Sequence, residues 1–191
     1  MDQYIVISSD CHAGLPGERY REYLDPQYRD TFDQAYPLQV QRIKAAEKAF
    51  LIQDINDQWR EGIEQQLTGA WDHAERIRML DGDGIAGEVI FPDGITEMNT
   101  PPFGAGLSLP TKDIVPELQW AGARAHNRWL AELCAQDPAR HFGVAVIPLL
   151  WDVEEAVREV RNAHASGLRG AMIPNLTAPF PHYHHRRYDP F

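Results

Sequence analysis

Tyr4-Ile5-Val6-Ile7-Ser8-Ser9-Asp10-Cys11-His12 is the stretch on which the fold turns. Its first four residues are β-branched or aromatic, and they predict a buried strand over roughly residues 4–9. Side chains alternate along a strand, so Asp10 and His12 point one way and Cys11 the other. Two metal-competent groups thus close an apolar strand, at the end where a β/α barrel gathers its chemistry. The residues alone leave a second reading open, in which Asp10 holds a turn and His12 caps the helix that follows.

Working outward, the same theme repeats. Gly87-Glu88-Val89-Ile90-Phe91 reads as a second strand that Pro92 ends. Residues 142–149 and 168–174 read as the third and fourth. Helical patterns fall between them: 71–80, then 113–135 with Asp113 as its cap, then 153–165 with Trp151-Asp152 leading in and Gly167 at its end. Strands alternating with helices imply parallel pairing and right-handed crossovers. Near-continuous apolar runs imply strands buried on both faces. No Gly-rich phosphate loop follows the first strand, which weighs against a dinucleotide-binding sheet. Between the first two strands lie a Gly/Pro loop, a helical turn over 18–24 and charged amphipathic segments at 28–34 and 38–66. Residues 38–66 read as a helical insertion or outer lid. Residues 93–110, rich in Gly, Pro, Thr and Ser, read as a long loop of the kind that often carries function.

A chain of 191 residues can bury a real core, and 43% hydrophobic with 24% charged residues is ordinary for a globular protein. The formal net charge of −10 disfavours nucleic acid or an anionic membrane as partner, since both are polyanions. Two cysteines make no disulfide framework and no metal-type pair. With no basic-then-apolar leader and no apolar run of membrane-spanning length, the expected location is cytoplasmic.

Several phrases, in order, resemble the metal-dependent amidohydrolase superfamily, in its amidohydrolase-related branch with aminocarboxymuconate-semialdehyde decarboxylase. They are Val6-Ile7-Ser8-Ser9-Asp10-Cys11-His12, Asp83-Gly84-Ile85-Ala86-Gly87-Glu88-Val89-Ile90-Phe91-Pro92, Asn127-Arg128-Trp129-Leu130-Ala131-Glu132, Asp137-Pro138-Ala139-Arg140, Val144-Ala145-Val146-Ile147-Pro148-Leu149, Ala165-Ser166-Gly167-Leu168-Arg169-Gly170 and Tyr188-Asp189-Pro190-Phe191. The resemblance implies an α/β fold of the TIM (β/α)8-barrel type. Only the first four β/α units are present, a half-barrel over 1–191, with the helical insertion after strand 1. A full barrel needs eight strands and about 250 residues, so the chain reads as a truncated, N-terminal half.

The same resemblance makes Asp10 and His12 metal ligands, where relatives carry His-x-His or Glu-x-His. It implies a divalent metal, with Zn2+ placed ahead of Mn2+ and absence from this chain also open. The family's strand-five His and strand-eight Asp have no counterpart, so the catalytic base is expected in the other half. Phe91, Asp93 and Asn175, at or beyond strand ends, are candidate substrate contacts. The expected activity is metal-dependent hydrolysis or non-oxidative decarboxylation of a small organic acid, aromatic or carboxylic, in a homo-oligomer. The alternative is an inactive half-barrel that binds or assembles. Cys11 is expected to be a small buried core residue, Glu88 to make a structural pairing, and the tryptophans 59, 71, 120, 129 and 151 to pack in the core. The run His182-Tyr183-His184-His185-Arg186-Arg187 reads as a solvated loop, with loose metal binding or attraction of an anion as its functional reading.

Overall fold

The structure, a computed structural model, describes residues 4–93, 99–105, 115–176 and 179–191. Its sheet has four parallel strands, β1 (Val6–Ala13), β2 (Ile85–Pro92), β3 (His141–Val146) and β4 (Gly170–Met172), in the order β1-β2-β3-β4. Parallel neighbours need crossovers. These are supplied by α1 (Arg29–Phe50), α2 (Gln53–Gly62), α3 (Glu64–Leu67), α4 (His73–Gly82), α5 (Pro116–Ala135) and α6 (Val153–Ala165). Strand order follows chain order without reversal. That is the winding of a barrel, whereas a doubly wound sheet reverses at a switch point.

Local chemistry explains where the helices begin and end. Asp72 and Asp152 each accept a hydrogen bond at 2.9 Å, from the amides of Glu75 and Glu155, and so cap α4 and α6. At the end of α6, Leu168 N–H donates to the Ala163 carbonyl and Gly167 N–H to that of His164, with Gly167 at φ +94°. This is a Schellman ending, which places glycine in a conformation other residues resist. Helix α5 begins on Pro116 and buries Trp120, Trp129, Leu130 and Leu133 against the sheet. Its Asn127 completes the end of β3. The amide nitrogen donates to the Val146 carbonyl at 3.1 Å and to Glu159 Oε1 at 2.8 Å, and the amide oxygen accepts from Val146 N–H at 2.8 Å. Buried backbone groups at a strand end need such partners.

The first strand departs from its expected form in two ways. It runs on through Ala13, because after Ser8 it pairs again with β2: Cys11 with Ile90, His12 with Phe91, Ala13 with Pro92. Three steps on β1, from Ser8 to Cys11, match two on β2, from Glu88 to Ile90, which is a β-bulge. The extra residue puts Ser8 and Cys11 on one face, beside Glu88. It is also not buried at its start. Val6 and Ile7 are each 49% exposed, and Tyr4 and Ile5, just ahead of the strand, 91% and 80%. As an outer strand of the sheet, β1 has no strand on its far side among the described residues. By contrast β3, with strands on both sides, is buried almost throughout.

Other expectations shift as well. The 18–24 stretch is a 3-10 helix, Gly17–Glu22. Helix α1 runs unbroken from Arg29 to Phe50, across residue 38, the expected start of the insertion. Trp59 is exposed rather than core, on a helix face it shares with Ile55. Strands three and four are shorter than the apolar runs that mark them. Asp113 lies outside the described residues, and α5 begins after Val115, which offers no side-chain cap.

Candidate functional site

The bulge in β1 sets the geometry of the site. Asp10 and His12 emerge on the same side, with Asp10 Oδ1 3.6 Å from His12 Nε2. At that separation the two are not hydrogen-bonded. The other ring nitrogen, Nδ1, stands 2.8 Å from the Pro92 carbonyl. A carbonyl only accepts, so Nδ1 carries the proton and Nε2 presents a lone pair beside a carboxylate oxygen. Two electron-rich atoms that converge in this way suit a cation. Ligand atoms about 2.1 Å from one tetrahedral ion stand about 3.4 Å apart, close to the observed gap. The donors fit a divalent metal as a pair. Among the described residues no third His, Cys, Asp or Glu joins them.

Phe91 is the in-register neighbour of His12, and their ring centroids lie 6.2 Å apart. It therefore borders the imidazole on the same face of the sheet. Asp93, just past β2, is buried and packs against Gly14. A Cβ on Gly14 would fall 2.8 Å from Asp93 Oδ2 and 2.3 Å from the Asn99 carbonyl oxygen, so only glycine lets the β1 and β2 tips approach so closely. Asn175 is exposed beyond β4. Phe91 and Asp93 are thus gathered at the tip with His12, while Asn175 lies past the end of the strand at the other edge of the sheet.

Beneath this tip lies a buried pair that sequence reasoning did not single out. The Tyr20 hydroxyl accepts from Leu15 N–H at 3.1 Å and lies 2.9 Å from His126 Nδ1. Burial raises the Tyr20 pKa well above its ordinary value, with the charge of Asp93 adding to it. Burial holds His126 down to about 3, so the ring is neutral. Its Nε2 has no hydrogen-bond partner among the described residues.

On the helix side of β1 lies a charged cluster. Arg76 on α4 meets Glu88 on β2 through two hydrogen bonds, at 2.6 and 2.7 Å, and His141 Nδ1 approaches the same carboxylate at 2.8 Å. Burial alone would raise the Glu88 carboxyl, but His141 and Arg76 outweigh it and hold it at about 2. The expected structural pairing of Glu88 is therefore present. Cys11 belongs to this cluster, not to the apolar core. It is half-buried, donates to Ser8 Oγ at 3.0 Å, and burial raises its thiol pKa. The signal for Arg76 was available in its spacing. It sits four residues before the buried Leu80, on the inward stripe of α4, where an unpaired arginine would not be tolerated.

In the histidine-rich run the histidines and arginines are exposed on the surface, as expected, and the rings of His182 and His184 stack there, while Tyr183 is half-buried against the core. No helix among the described residues is long and apolar enough to cross a membrane.

The sequence matches no protein-family model and no curated protein. Solved structures do share the fold. An amidohydrolase from Mycobacterium avium subsp. paratuberculosis K-10 superposes with a TM-score of 0.60 at 18% identity, over 100% of this chain and 55% of its own. A 2,6-dihydroxybenzoate decarboxylase from Rhizobium gives 0.52 at 19%, over 98% of this chain and 45% of its own, and a 2,6-dihydroxybenzoate decarboxylase complexed with 2,6-dihydroxybenzoate gives the same values. The chain thus has the fold of about half of an amidohydrolase-type enzyme, as its phrases led one to expect, and spans about half the length of the structures it matches.

Proposed function

We propose that this chain carries the first-strand metal pair of a metal-dependent hydrolase or non-oxidative decarboxylase acting on a small organic acid. The observation that supports this most is the convergence of His12 Nε2 and Asp10 Oδ1 at 3.6 Å, with the imidazole fixed by Pro92. Asp10 and His12 would hold a divalent ion, Zn2+ or Mn2+, which supplies Lewis acidity toward a substrate oxygen or water. Phe91 offers a ring wall beside it, and Asp93 and Asn175 are the polar groups assigned to substrate. A catalytic zinc site normally has three protein ligands, so further donors and the catalytic base are assigned to a second β/α half or a second copy. An aromatic carboxylic acid is the favoured substrate class, by analogy with the 2,6-dihydroxybenzoate decarboxylase that shares the fold.

Metal titration with elemental analysis tests this reading. Zinc or manganese held near one per chain, and lost in both Asp10→Asn and His12→Ala, supports it. Metal retained unchanged by both variants removes the pair from the site. The departure to Asp-x-His, with two donors among the described residues, favours a second reading, a half-barrel that binds or assembles without chemistry. A metal-free chain that forms a stable, defined oligomer would select it.

A further inference from the structure

Arg76 does more than neutralise Glu88. Its Nε and Nη2 are committed to the two Glu88 oxygens, a fork-to-fork pair that fixes the plane of the guanidinium. The remaining nitrogen, Nη1, then points at two backbone carbonyls, Gly69 at 2.9 Å and His12 at 3.1 Å. One side chain thereby joins α4, β2, the turn at Thr68–Ala70 and the backbone of the candidate ligand itself. Gly14 N–H donates to the Ala70 carbonyl at 3.1 Å, so the same turn grips β1 on the other side of Ala13. His141 lies against the same carboxylate, its Nδ1 2.8 Å from Glu88 Oε1, and its ring packs edge-on against His73.

A buried ion pair of this kind is a poor stabilising device, since well-packed apolar side chains often do as well or better. What the charges deliver here is direction. A rigid planar donor reaches the carbonyl of one chosen residue in a strand whose register the bulge has just shifted. The Nδ1–Pro92 bond sets the rotation of the His12 ring, and the carbonyl contact sets where the ring is carried.

We propose that Arg76, oriented by Glu88, is a positioning residue that fixes His12 for metal binding. This rests on the reading of Asp10 and His12 as a metal pair, and the test separates the two. Mn2+ binding to the full chain is followed by the electron paramagnetic resonance of the free ion, alongside 15N spectra of the His12 ring without metal. The variants are Arg76→Lys, which keeps the charge but not the fork, and Arg76→Met/Glu88→Leu, which leaves no lone charge. The expected result is folded variants, by circular dichroism, with Mn2+ affinity lower by about 10–100-fold and with altered His12 ring signals. Folded variants with wild-type affinity overturn the proposal. If the unmodified chain takes up no Mn2+, or His12→Ala binds it as tightly, the metal-pair reading falls instead. The positioning role is then decided by the ring signals alone, and unchanged signals overturn it.

Discussion

His12 Nδ1 sits 2.8 Å from the carbonyl oxygen of Pro92, the residue that ends the neighbouring strand. Neutral imidazole has one proton, and this contact claims it for Nδ1. In long-range 15N–1H spectra of the neutral ring, His12 should therefore appear as the Nδ1–H tautomer with Nε2 bare. A dominant Nε2–H form would place a proton where the proposed metal pair needs a lone pair, and would remove the case for it.

The Arg76–Glu88 pair predicts a specific pattern of stability loss. Glu88→Gln strands a buried guanidinium and Arg76→Met strands a buried carboxylate, so each should cost about 3–5 kcal/mol in urea denaturation. The double variant Arg76→Met/Glu88→Leu should cost less than either single change, because no lone charge remains. Additive losses would show that the two side chains do not depend on each other.

Much of this arrangement was legible in the sequence, and the reasons for the remainder are physical. The β-branched runs at Val89-Ile90 and Val144-Ala145-Val146 marked buried strands, and the Asp152 and Gly167 signals bounded α6 closely, because caps and glycine turns are local chemistry. The exposure of Tyr4–Ile7 was not legible. An apolar strand looks the same whether it has one neighbour or two, and only the sheet order puts β1 on the edge. The bulge between Ser8 and Cys11 escaped notice because it depends on register against β2, a partner nearly 80 residues away. Tyr20 and His126, 106 residues apart, meet through a hydrogen bond that only the tertiary fold creates, and they leave no trace in spacing.

His126 gives the chain an acid-sensitive step. Its pKa is about 3 when folded against an ordinary 6.5. Between those values the unfolded chain holds a proton that the folded chain excludes, so stability falls as pH falls. The loss should be about 2 kcal/mol between pH 8 and pH 5, at about 1.4 kcal/mol per pH unit below 6.5. Glu88, held at about 2 against 4.5, adds its own loss only below pH 4.5. Urea midpoints measured across this range should therefore drop first near pH 6.5. His126→Asn, which keeps a polar group facing Tyr20, should flatten the segment above pH 4.5. An equal slope in wild type and variant would assign the effect to another group.

The outer strand makes the last prediction. Tyr4 and Ile5, just ahead of β1, are almost fully exposed, Val6 and Ile7 at its start half so, and β1 lies at the edge of the sheet. An apolar, unprotected edge is a template for pairing with another chain. Light scattering on the chain alone should show a mass that rises with protein concentration, and Ile5→Lys should suppress the rise. At 80% exposure Ile5 contributes little to the folded core, so this change should alter stability by about 0.5 kcal/mol or less. The exposed face of Ile55 and Trp59 on α2 is the competing surface, and Trp59→Lys isolates it. If Trp59→Lys abolishes the association and Ile5→Lys does not, the helices after β1 carry it and the strand edge does not. A constant monomer mass at every concentration would mean that neither surface recruits a partner of its own kind. A second copy would then not supply the further donors that the proposed metal pair calls for.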